Sequence, residues 1–293
     1  MVNLFKNKEK RVRTGWKILF VLVSSIFLDS VINSVFSLKV NNKSLFGENG
    51  FIELLRSPSL FFIIVVLFVV LKVERQQLSS IGLCMSKKSV WHFINGFLYG
   101  GGSIAIVLFV LWCLGNLTIT NSIFNPHFSD FEWVVLFTSS LFPGVGEELL
   151  FRGYFLNLIH NSIGRGWSIC LTSLLFSLIH GGNEGYSFVA FTNIFILSVV
   201  LAFVTIRTKT IWTAISFHIS WNFLQGSIFS VPVSGRETSG IYGIKLTGND
   251  LITGGSFGIE GSIVTLVVLV VLAIILMNIT SANNWRISRT INI

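Results

Sequence analysis

The segment PGVGEELLFRGYF, residues 143–155, carries two adjacent glutamates and an arginine inside an apolar stretch. LFTSSLF (136–142) runs into it, and YFLNLI (154–159) runs out of it. Its reading decides the fold. If the stretch spans a membrane, each of the three charges costs about 2.5–3.5 kcal/mol on insertion scales, and something must offset that. Of the 293 residues, 52% are hydrophobic and only 12% are charged, against about 25% charged in a soluble domain. The apolar runs also reach the roughly 20 residues that a membrane span needs. The expected fold class is therefore all-α, a polytopic membrane helix bundle.

Hydropathy places about eight spans at 16–36, 58–73, 91–115, 131–159, 167–180, 188–206, 211–230 and 261–279. Trp16, Trp91, Trp133, Trp167 and Trp212 mark helix starts, as interfacial aromatics do, whereas Trp221 falls mid-span. The first apolar run follows the basic KNKEKRVR and is too long for a signal peptide, so it reads as a retained helix. With the N-terminus inside, 15 of the 21 Lys and Arg lie on inner segments, which predicts both termini in the cytoplasm and a multi-pass chain in the cell membrane. The net charge of +8 is thus mostly a topology signal, and no nucleic-acid partner is expected. Cys84, Cys113 and Cys170 lack the spacing of a disulfide framework or a thiolate metal site. The chain divides into N-terminal helices with a basic leader (1–130), a core holding the polar residues (131–230), an outer Gly/Ser-rich loop (231–260), and a last helix with its tail (261–293).

Within the spans, chemistry-bearing side chains fall on three helices. The fourth has Glu147, Glu148 and Arg152; the fifth ends in FSLIHGG with His180; the seventh holds HISWN with His218 and Asn222. Glu148 and Arg152 are four apart with the acid first, the better order for an ion pair. That leaves Glu147, about 100° round the helix, available for chemistry. His218 and Asn222 share a face, Phe176 can pack beneath His180, and Gly181 is a natural helix terminator. Pro143 with Gly144 and Gly146 predicts a broken helix, with the glutamates at the start of a half-helix where the dipole favours anions. Counted at 1.5 Å per residue, the three polar groups lie roughly 16–20 Å deep. Taken singly, each has a bland reading: a structural ion pair for Glu148 and Arg152, interhelical hydrogen bonding for either histidine or Asn222. Asp29, His92, His127 and His160 get no functional role. Convergence of three helices at one depth favours a site.

At these residues the chain resembles a known family. EELLFR fits EExxxR, FSLIH fits FxxxH and HISWN fits HxxxN, in that order. These are the motifs of the CPBP intramembrane proteases, which include CAAX prenyl endopeptidases and bacterial bacteriocin-processing and abortive-infection proteins. VPVSG and LITGGSFGIEGS look like the tail of bacterial-type members. The resemblance implies that Glu147 is a general base activating water and that His180 helps hold the water. It implies that His218 and Asn222 stabilise the oxyanion, with Glu148 and Arg152 shaping the site. Glu147, His180 and His218 are also zinc-ligating residue types, and members have been described as metalloproteases. Yet HExxH is absent, and the resemblance favours a metal-free glutamate mechanism with no cofactor. The expected partner is a membrane-associated peptide or protein substrate, such as a prenylated CAAX protein, a bacteriocin or a leader peptide; no oligomeric state follows. Two other classes use the same residue types: a proton- or ion-coupled transporter and a non-proteolytic immunity or scaffold protein. Against the transporter, no second broken helix with acids appears in the first three spans, as inverted repeats would require.

Overall fold

A computed structural model describes residues 12–36, 39–40, 43–44, 59–120, 132–238 and 240–290. Most of the basic leader, Arg56 and His127 lie outside the described residues, as do the side chains of Asp29, Trp133 and Trp285. The described chain is mostly helical: α1 (Thr14–Phe36), α2 (Ser59–Val73), α3 (Lys87–Cys113), α4 (Glu132–Glu148), α5 (Leu156–Ile163), α6 (Arg165–Leu178), α7 (Phe188–Thr208), α8 (Trp212–Asn222), a single turn α9 (Asp250–Thr253) and α10 (Ile263–Thr290). Two of these, α3 and α7, are long and apolar enough to cross a membrane.

Serines start both. Ser86 Oγ accepts the Ser89 N–H while Ser89 Oγ accepts the Ser86 N–H, a reciprocal cap on α3. Ser187 Oγ likewise accepts the Ala190 N–H at the head of α7. Two short antiparallel pairs, β1 (Lys39–Val40) with β2 (Lys43–Ser44) and β3 (Leu117–Ile119) with β4 (Ile244–Leu246), join connecting segments. The second pair ties the 231–260 segment to the end of α3.

The placement of α8 positions the site, and glycine decides it. A Cβ on Gly96 would strike Thr213 O and Ser216 Oγ, and one on Gly100 would strike Phe217 O and Ser220 Oγ. Two glycines four apart on α3 thus face two small serines four apart on α8, both fully buried. This is the close packing that small residues allow when apolar burial alone cannot drive helices together in lipid. Ser216 and Ser220 occupy one face of α8, so His218 and Asn222, two residues further on, are turned about 200° away from α3. There they meet α4, where Gly144 lets the Ile219 backbone approach; a Cβ at Gly144 would lie 2.8 Å from Ile219 N. Gly100→Leu is therefore expected to destabilise the protein by about 1–3 kcal/mol or more through overpacking. Gly102→Ala, with open space at its Cβ, should not; thermal unfolding in detergent distinguishes the two.

The helix break expected at Pro143 does not form. α4 runs through Pro143 to Glu148, and the irregularity comes afterwards, as a π-helical segment from Leu149 to Phe155 that leads directly into α5. Proline removes one N–H, so only the Ser139 carbonyl loses its partner, and both Ser139 and Pro143 border a cavity. The glutamates consequently sit at the end of α4 with helix continuing beyond them, and no free N-terminal amides face them. α6 likewise stops at Leu178, before the Gly181 expected to end it, and tightens into three-residue hydrogen bonds from His180 N to Ser177 O and Gly181 N to Leu178 O.

Candidate active site

The six candidate residues come together from three places. The end of α4 and the π segment supply Glu147, Glu148 and Arg152; the turn after α6 supplies His180; α8 supplies His218 and Asn222. Arg152 Nη1 lies 3.1 Å from Glu148 Oε1, with both side chains essentially inaccessible at 1% and 0% exposure. The guanidinium also stacks over Phe176, its Cζ 4.3 Å from the ring centroid. Phe176 in turn packs against His180 with ring centroids 5.1 Å apart and meets His218 edge-on at 6.3 Å.

His218 links the two glutamates. Its Nδ1 is 3.0 Å from Glu148 Oε1, and its Nε2 is 3.9 Å from Glu147 Oε2. Since a carboxylate only accepts, Nδ1 carries a proton toward Glu148. His180 is fixed in the same sense: Nδ1 donates to Phe176 O at 2.8 Å, which makes Nε2 the ring's acceptor. Glu147 Oε2 is buried and has no hydrogen-bond partner among the described residues. Glu147, His180, His218 and Asn222 line one cavity of about 350 Å³. Ser140 and Ser227 brace it, their hydroxyls 3.0 Å apart and Ser227 Oγ donating to Leu136 O.

The rest of the cavity wall was not legible in the sequence. Val233, Ser234, Arg236, Glu237 and Thr238, from the segment expected to be only an outer loop, line it as well. Behind them Glu260 is buried, accepting from Trp221 Nε1 and from Ser234. Burial pushes the Glu260 carboxyl up from its ordinary value, and the Ser234 donors oppose this. The available sequence signals were an acid flanked by Gly258 and Gly261, and a tryptophan in mid-span. Among the described residues, no group of three or more His, Cys, Asp and Glu side chains gathers closely enough to hold a metal ion.

A buried carboxylate beside two imidazoles and an amide, enclosed by apolar helices, defines a class: a helical protein whose polar cleft holds the residue types of acid–base chemistry. Residues 129–224 match the family model described as type II CAAX prenyl endopeptidase Rce1-like. The match covers less than half of the chain but contains every one of the six candidate residues, and over it the chain is similar to this family of membrane-embedded CAAX proteases. No curated protein matches the chain.

Proposed function

We propose that the protein is a multi-pass intramembrane endopeptidase that hydrolyses a peptide bond in a membrane-associated substrate by means of a glutamate-activated water. The observation carrying this reading is the buried Glu147 Oε2, without a hydrogen-bond partner among the described residues, at the wall of a cavity shared with His180, His218 and Asn222. Glu148 is already held by Arg152 and His218, so Glu147 is the carboxylate left to act as a base. Glu147 takes a proton from water as the water oxygen bonds to the scissile carbonyl carbon. The C–N bond then breaks, and the same proton passes to the leaving amine.

His180, with Nδ1–H committed to Phe176 O, offers Nε2 as an acceptor that orients the water. Asn222 donates to the developing oxyanion, with His218 beside it, its Nδ1–H held by Glu148. Both termini are proposed to lie in the cytoplasm on the distribution of Lys and Arg, and fusions of a reporter active on one side only test this. The substrate is proposed as a lipidated or membrane-proximal peptide, the class to which prenylated CAAX proteins belong.

Hydrolysis is proposed to need no metal. Chelation should leave cleavage unchanged in protein whose zinc content is substoichiometric by elemental analysis. Loss of activity on chelation, restored by zinc, would instead assign Glu147, His180 and His218 as ligands.

A further inference from the structure

Outside the family-matched segment, one acid is driven into the interior. Glu260 is only 8% exposed, and both of its carboxylate oxygens are engaged. Oε1 accepts from Trp221 Nε1 at 3.0 Å; Oε2 accepts from the Ser234 amide and from Ser234 Oγ at 2.8 Å. Its main chain is fixed too, since Asn193 Nδ2 donates to the carbonyls of Glu260 at 2.7 Å and Ser262 at 2.8 Å. A solvent-facing loop has no need of this.

The turn it grips is an unfavourable one for its sequence. Val233 and Arg236 exchange two backbone hydrogen bonds across Ser234 (φ 47°) and Gly235 (φ 78°), a tight hairpin with both central residues left-handed. Glycine suits such a position, but serine pays a steric penalty there. Glu260 binds the amide and the hydroxyl of that same serine, and Asn183 Nδ2 holds its carbonyl at 2.7 Å. Val233, Ser234 and Arg236 line the cavity that holds Glu147. Glu260, Ser234 and Trp221 also border a small void of about 30 Å³ that reaches Glu148, His180 and His218.

We propose that Glu260 is a positioning residue of the active site: its carboxylate clamps the 233–236 turn to Trp221 of α8 and so sets the substrate-facing wall of the cleft. The assignment rests on the endopeptidase reading. Glu260→Gln preserves shape but turns an NH2 group toward Trp221 or Ser234, both donors. Hydrogen exchange of the Ser234 and Gly235 amides, followed by mass spectrometry in detergent, should rise about tenfold or more in this variant with the melting temperature unchanged. With an internally quenched farnesylated CAAX-type peptide as probe, KM should rise about tenfold while kcat falls less than about threefold. Glu260→Asp should recover part of the loss. Ser234→Ala, which removes one donor and keeps the carboxylate, should give a smaller change in the same direction; it is the test if Glu260→Gln does not fold. Unchanged exchange at Ser234 overturns the clamp. A fall in kcat with KM fixed overturns the positioning role. Cleavage that persists in Glu147→Gln would sink the endopeptidase reading instead, and the exchange result would still judge the clamp.

Discussion

Glu147→Gln should abolish cleavage, lowering kcat by about 10²–10⁴-fold, the range that a general base contributes. The substitution is isosteric and removes only the ability to take up a proton. Because Glu147 Oε2 has no hydrogen-bond partner among the described residues and only a 3.9 Å approach to His218 Nε2, the melting temperature should change little. Loss of activity with an intact fold is the signature that separates a base from a structural acid. Peptide cleavage and thermal unfolding, measured on the same preparation, read both quantities. Retained cleavage would pass the role of base to another group. A biological activity that survives in this variant would favour a scaffold that keeps the motifs for folding.

The second large effect is on stability. Arg152→Met should destabilise the protein by about 3–5 kcal/mol, because it leaves the fully buried Glu148 without its cation. Glu148→Gln with Arg152→Met should recover a substantial part, since removing both charges costs far less than stranding one. The recovery should not extend to catalysis, because Glu148 also fixes the Nδ1 proton of His218 at 3.0 Å. Unfolding in detergent measured around the double-mutant cycle gives the coupling directly; additive losses would show that the two side chains do not act as a pair.

How much of this was readable beforehand follows from where the signals lie. Charges within apolar runs stand out by their cost, so Glu147, Glu148, Arg152, His180, His218 and Asn222 could be picked from the sequence and sorted by helical spacing. The apolar runs themselves foretold where helices form. Pro143 was over-read: a proline removes a single N–H, and the close seat of Ile219 on Gly144 holds the helix together across it. The π segment at 149–155 was invisible, because a local change of turn leaves no mark on an apolar pattern. Glu260 and Ser234 were hidden for a different reason. An acid in a Gly/Ser-rich stretch reads as solvated, and its partners lie 26 and 39 residues away, a separation that no local periodicity reports.

The glycine seat of α8 has one more consequence. With Gly96 and Gly100 against Ser216 and Ser220, the helix fits α3 in a single register. A slip of one residue would shift it by about 1.5 Å and rotate it by about 100°, which carries His218 away from both glutamates. A chain still being inserted, or one whose helices have docked wrongly, therefore has no apposed acid and imidazole. On the proposed reading, the contact that packs the fold is thus also the one that brings base and imidazole together.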